Sequence, residues 1–284
     1  MPCFSWTIVL FGTIGWTGLY WILCYLDRGK KPEWHCRLVT IVHGTTVSAL
    51  SAWNAFVVGP WPLTNMGEPN TPEQEFTMAI CLSYFLFDLA WCLLHKTEGP
   101  VMLLHHIISI VTLFLCIYMG HSGCEIVAAI GGGEVSNPVL QLRWFMLESG
   151  WKGTWEMDAV DYTFVAIFFY MRLYVGTHLL ISICTHPRSF IWMQIGAITM
   201  YLISIVFMGM VAKFAYKKLQ KINGLKDMVE RSALINTKVL ASKENVTQPT
   251  WVLHDCDKNG NIKLRNGFTM NGRDKDGHSK VFKT

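Results

Sequence analysis

"VMLLHHIISIVTLFLCIYM", Val101–Met119, contains no Lys, Arg, Asp or Glu. About 20 mostly apolar residues suffice for one helical crossing of a bilayer, so the stretch reads as a membrane span. Two adjacent imidazoles, His105 and His106, interrupt it within its first two turns. The chain on either side has the same character. Its 284 residues are 51% hydrophobic and only 15% charged, against roughly 25% charged in a soluble domain. Seven runs are long enough to span: Ser5–Leu26, Leu38–Val58, Phe76–Leu94, Val101–Met119, Cys124–Leu147, Val160–Cys184 and Phe190–Ala212. The fifth is the most broken, with three glycines, Glu134, Asn137 and Pro138. The expectation is an all-α integral membrane protein with seven transmembrane helices.

Basic residues in short loops set orientation. Arg28, Lys30, Lys31 and Arg37 follow the first run, Lys96 the third, Lys152 the fifth, and Lys213, Lys217, Lys218 and Lys221 the seventh. No Lys or Arg precedes the first run or lies in residues 59–75 or 120–123; Arg188 is the exception on that side. Seven crossings then place the N-terminus in the lumen and the C-terminus in the cytosol, with the first run as an uncleaved anchor. The tail beyond Lys221 holds 11 Lys/Arg against 7 Asp/Glu and so carries the whole net charge of +4. It reads as a mostly disordered cytosolic tail. There the Asn245 sequon would stay unused, and Asp255–Ile262 opens like a calcium loop but offers Asn266 where a Glu is needed. The nine cysteines show no metal spacing; Cys124 and Cys184 fall at lumenal span ends, where a disulfide is one outcome.

Polar groups inside spans cost about 2.5–3.5 kcal/mol each for Asp, Lys or Arg at a helix centre, so they must face protein or water. They are His43, Tyr84 and Asp88, then His105, His106, Ser109 and Thr112, then Glu134, Ser136, Asn137, Gln141 and Arg143, and finally Arg172 and His178. Tyr84 and Asp88 are i, i+4; His105, Ser109 and Thr112 are i, i+4, i+7; Glu134, Asn137 and Gln141 are i, i+3, i+7. Each set lies on one helix face. Three such stripes on consecutive spans satisfy one another by facing inward. His106, about 100° round from His105, points to a neighbouring helix. Most of these groups lie in the cytosolic half, which implies a cavity opening toward the cytosol or the inner leaflet.

The pieces "LVTIVHGTTVSAL", "SYFLFDLAWC", "LLHHIISI", "GGGEVSNPVLQLRWFM" and "FFYMRLY", in that order, resemble the TLC (TRAM/LAG/CLN) domain family, which includes the ceramide synthases. The resemblance covers roughly residues 35–215, with 1–34 as anchor helix and basic loop and 216–284 as tail. It implies a bundle of six helices around a central lipid-sized cavity, formed by runs two to seven, and residence in the endoplasmic reticulum. In ceramide synthases the His pair is followed on the next helix by a His-Asp and a second Asp, which together serve acyl transfer. The matching stretch here is Gly133–Asn137, where the third His is missing and Glu134 and Asn137 stand in place of the two Asp.

Two readings follow. One is a protein of membrane lipid metabolism or homeostasis that binds a membrane lipid in the cavity without chemistry. The other is an acyltransferase using acyl-CoA as co-substrate, with His105 as base or nucleophile, oriented by Asp88 or Glu134. His105, His106, Asp88 and Glu134 are the catalytic candidates, and His43, Tyr84, Asn137, Gln141 and Arg172 the substrate-binding ones. Glu134 is the expected counter-charge of Arg172. No resident cofactor, metal or nucleic-acid partner is expected. A minor alternative is haem held by His43 with His105 or His106.

Overall fold

The computed structural model describes residues 2–244. Asn245 and Asp255–Ile262, with the readings attached to them, lie outside the described residues. The described residues form nine α-helices: α1 Pro2–Leu26, α2 Pro32–Trp53, α3 Pro72–His95, α4 Pro100–Met119, α5 Gly123–Glu134, α6 Asn137–Glu148, α7 Trp155–Phe169, α8 Gly176–Thr185 and α9 Ile191–Glu244. Short π-helical stretches extend α2 over Asn54–Val58 and join α7 to α8 over Tyr170–Val175.

Proline sets several starts. Pro32, Pro72 and Pro100 each open a helix, where a missing N–H costs nothing because the first amides have no partner in the helix. Thr71 adds a capping box to α3: its hydroxyl accepts from the Gln74 amide while Gln74 accepts from the Thr71 amide. Gly120 ends α4 in the left-handed region, φ 71°, and returns its amide to the Cys116 carbonyl.

Six helical segments are long and apolar enough to cross a membrane: Phe4–Leu26, Pro32–Val58, Pro72–His95, Pro100–Met119, Trp155–Thr185 and Ile191–Gln220. The fifth apolar run is not among them. It is two helices of 12 residues each, about 18 Å apiece against a hydrocarbon core of about 30 Å. The break has a local cause. Pro138 lacks the amide proton that would reach the Glu134 carbonyl, and its ring crowds that carbonyl. The two halves run alongside α2. At one end, the loop after α2 meets the start of α5: the Gly67 amide donates to Glu125 at 2.9 Å and the Gly123 amide to Asn70 at 2.7 Å. At the other, Lys31 before α2 pairs with Glu148 at the end of α6 at 3.0 Å. Close approach is allowed by Gly44, whose missing Cβ would sit 3.3 Å from Pro138, and by Gly131, where it would sit 2.9 Å from the Ser51 Cβ.

The first run is more than an anchor. Thr13 and Trp16 of α1 donate to the Ser83 carbonyl and hydroxyl at 3.2 and 3.0 Å. Val9 is buried with Met78, Leu82 and Ile117 in the main core. Cys124 and Cys184 are free thiols, the first buried and the second exposed, so no disulfide joins these span ends. The tail reading needs correction as far as Glu244: α9 continues there unbroken. Residues 213–244 are rich in Lys, Leu and Ala, good helix formers, and hold no proline.

Candidate functional site

A cavity of about 560 Å³ opens between α2, α3, α4, α6, α7 and α9. Its mouth, at Glu33, Arg37, Thr97, Glu98 and Trp144, faces the side of the bundle that carries the loops with Lys31, Lys96 and Lys152. Its depth is bounded by Tyr84, Asp88, His105, His106, Glu134, Asn137, Gln141 and Arg172, with Phe164, Phe168 and Phe207 as apolar wall. Eight of the nine residues singled out from sequence therefore border one space.

His43 is the exception. It is fully buried and lies flat on Tyr84, ring centroids 3.7 Å apart and planes within 9°, and neither ring nitrogen has a hydrogen-bond partner. Phe85 lies between it and the His pair, with ring centroids 6.0 Å from His43, 6.1 Å from His105 and 5.7 Å from His106. His43 is thus a packing residue under Tyr84, not a cavity-lining one.

The His pair divides its work. His106 is buried and places Nε2 3.0 Å from Asp88 Oδ2 across the α3–α4 contact. His105 touches Phe85, His106 and Phe207 edge-on or tilted, and no hydrogen bond holds its ring among the described residues. Asp88 therefore orients His106, not His105. The reason is angular: the stripe of His105, Ser109 and Thr112 faces the interior, while His106, about 100° round, faces α3.

On the opposite wall the stripe of α5 and α6 is a chain of hydrogen bonds. Asn137 donates to Glu134 at 3.0 Å and Gln141 donates to Asn137 at 2.9 Å; Arg37 then donates to Gln141 at 2.8 Å and to Glu33 at 2.7 Å. Arg172 stands on the π-helical stretch and donates to the Gly133 carbonyl at 3.1 Å and to Ser204 at 3.2 Å. No direct ion pair joins it to Glu134 within 4 Å; Glu134 acts on the guanidinium through space, as a counter-charge at longer range than expected. Glu134 turns to Asn137, while the guanidinium goes to the carbonyl of its neighbour Gly133.

Sequence reading missed several members. Arg37 counted as a loop cation, yet α2 starts at Pro32 and Arg37 lies inside it; the Glu33–Arg37 spacing of i, i+4 was the available signal. Asp161 pairs with Arg143 at 2.7 Å, and Cys36, Cys92 and Glu98 border the cavity; none of these stands out by pattern. Two small apolar pockets continue inward: one of about 90 Å³ is bounded by His105, Ser109 and Arg172, and one of about 130 Å³ by Arg172, Gly176 and Gly196.

At the mouth, burial raises the Glu98 carboxyl above its ordinary value, partly offset by Arg37. A carboxyl raised on folding costs stability once ionised. That cost is absent below the ordinary Glu value of about 4.3, grows as pH rises through the folded value, and is then constant. Glu98→Gln should therefore raise the melting temperature at pH 7 and leave it unchanged near pH 4. A variant equally shifted at both pH values would show that charge is not the cause.

The TLC-domain family model matches residues 33–215, more than half of the chain. Every cavity-lining residue named above falls inside the match, and the apolar helices make the protein multi-pass. The chain belongs to the TLC-domain family of membrane proteins.

Proposed function

We propose that the protein binds a membrane lipid in this cavity and transfers an acyl group there, as part of membrane lipid metabolism in the endoplasmic reticulum. The observation that carries the reading is His105, an imidazole without a hydrogen-bond partner among the described residues, which borders a cavity of about 560 Å³. Small-molecule sites occupy roughly 300–1,000 Å³, so a lipid headgroup with the first part of its chains fits, and the two inner pockets extend the apolar path. Nε2 or Nδ1 of His105 takes the proton of an attacking hydroxyl or amine as that group bonds to the acyl carbonyl. The same proton then goes to the leaving thiolate or alkoxide as its bond to carbon breaks. Arg172, on the border of the same space, offers N–H groups to the oxyanion that forms in between. The His106–Asp88 pair braces the neighbouring turn.

Acyl-CoA suits the role of donor, because the mouth lies on the side of the basic loops, whose field attracts its phosphates. Lipid profiles of cells producing the wild type and His105→Asn test the reading; identical profiles would exclude it. A second reading, lipid binding without chemistry, draws support from Glu134 and Asn137, which are tied into a hydrogen-bond chain with Gln141 where ceramide synthases carry carboxylates. Within the family, "EWHCRLVTIVHG", "NTPEQEF" and "EVSNPVLQLRWF" resemble TLC domain-containing protein five.

The broken pair α5–α6 acts as the seventh crossing in this proposal. Its ends meet the loops at the two opposite ends of α2, so it traverses the thickness that α2 does. Non-helical backbone at that depth is tolerated because it is covered by protein. Seven crossings and the basic loops put the cavity mouth and the C-terminus in the cytosol. A tag after Thr284 should be digested by protease added to sealed microsomes, and Asn245 should carry no glycan. A protected tag would reverse the orientation.

A further inference from the structure

We propose that Cys36, Asp88, Cys92 and His106 form a binding site for a soft divalent metal ion of the zinc type, which fastens α2, α3 and α4 together at the wall of the cavity. Donor atoms of Asp88, Cys92 and His106 lie within 4.8 Å of one another. Asp88 is the hub: its Oδ2 is 3.0 Å from His106 Nε2 and its Oδ1 is 3.8 Å from Cys36 Sγ. Tetrahedral zinc with ligands at about 2.0–2.3 Å keeps its donor atoms about 3.3–3.8 Å apart. Closing three donors from within 4.8 Å to that spacing, and drawing in the Cys36 sulfur from 3.8 Å beyond Asp88 Oδ1, is the movement that the metal would impose on these side chains. The ligands come from three helices, with Asp88 and Cys92 one turn apart on α3.

The donor set selects the metal. Two sulfurs and an imidazole favour zinc over magnesium or calcium, which require oxygen ligands. Four protein ligands make a closed site, the structural kind. Local charge points the same way. Among the described residues, Glu98 and Glu134 have no cationic side chain within 4 Å and Asp88 has the His106 imidazole, whereas Arg37 and Arg143 are already paired with Glu33 and Asp161. Among the described residues Arg172, with Arg37 acting in part on Glu98, is left to offset three carboxylates around one cavity, and a dication beside Asp88 adds to that balance. On binding, Cys36 and Cys92 each lose a thiol proton to solvent through the mouth, and His106 shifts from its Nε2–H tautomer, which donates to Asp88, to the Nδ1–H tautomer, which frees Nε2 for the metal. With no metal, the same side chains would be a His–Asp hydrogen bond with two thiols as small apolar fillers.

The test uses the full chain in lipid nanodiscs, loaded with zinc and desalted, with metal content read by mass spectrometry. The expected content is about one zinc per chain. Cys36→Ser/Cys92→Ser should lower it at least about tenfold, while Cys24→Ser/Cys184→Ser leaves it unchanged. His105→Asn should also keep its zinc, so loss of the acyl-transfer reading and loss of the metal site are told apart. Cobalt in place of zinc should give a thiolate-to-metal charge-transfer band in the wild type. Should the double serine variant fail to fold, maleimide labelling of the wild type decides: zinc should shield Cys36 and Cys92, and a chelator should expose them. Zinc content equal in the wild type and the folded double serine variant, or labelling indifferent to the chelator, overturns the proposal.

Discussion

Asparagine at position 105 is expected to abolish the protein's effect on membrane lipid composition while expression and membrane insertion stay at wild-type levels. A positioned acid–base group contributes about 10²–10⁴-fold to rate, so the acyl-transfer activity should fall at least about 100-fold. Packing should survive for a stated reason. His105 has only ring contacts, at centroid distances of 5.8–6.1 Å to His106, Phe207 and Phe85, and no hydrogen bond that its removal would leave half-made. Asparagine is polar and similar in size, but it neither takes up a proton near pH 7 nor accepts an acyl group usefully. His106→Asn is the contrasting variant. Its amide can still donate to Asp88, and its side chain faces α3, so its defect should be smaller. The measurement is a lipid profile beside a quantified membrane fraction. A His105→Asn protein that inserts normally and leaves the lipid profile at its wild-type state would remove proton transfer at His105 from the account.

The largest expected loss of stability comes from the other wall. Arg143 and Asp161 form an ion pair at 2.7 Å, with side chains 23% and 7% exposed, and the guanidinium also lies 4.5 Å from the centre of the Phe214 ring. Removing one partner of a buried pair leaves an uncompensated charge, at a cost of about 3–5 kcal/mol. Asp161→Leu alone should approach that loss. Arg143→Leu/Asp161→Leu should lose clearly less than the two single changes together, because neither charge is then stranded. Thermal unfolding in detergent reads both. Strictly additive losses would show that the pair is not coupled.

These residues also show how much was legible beforehand. The six continuous spans follow from apolar run length, and the Gln141–Asn137 step of the hydrogen-bond chain follows from i, i+4 spacing on one face of α6, while the Asn137–Glu134 step bridges the break between α5 and α6. The fifth run was harder. Its hydropathy reads as one span, while Pro138 cuts it in two through a lost backbone hydrogen bond. Asp161 and Arg143 are 18 residues apart and nothing in their spacing announces a pair. His43 and His105 look alike in a list of buried polar groups, yet one stacks on Tyr84 and the other faces the cavity.

By itself, then, the sequence determined which segments enter the membrane and which faces of them are polar. Both depend on side-chain transfer energies and on helical periodicity, which are local to each segment. Only the tertiary structure decided that Asp88 takes His106, that Arg172 turns to Gly133 and Ser204 and not to Glu134, and that Cys36, Cys92 and Asp88 converge. Each of these turns on the rotation of one helix against its neighbour. A few tens of degrees moves a side-chain tip by several ångströms, more than the range of a hydrogen bond, and that rotation is set by packing across the whole bundle.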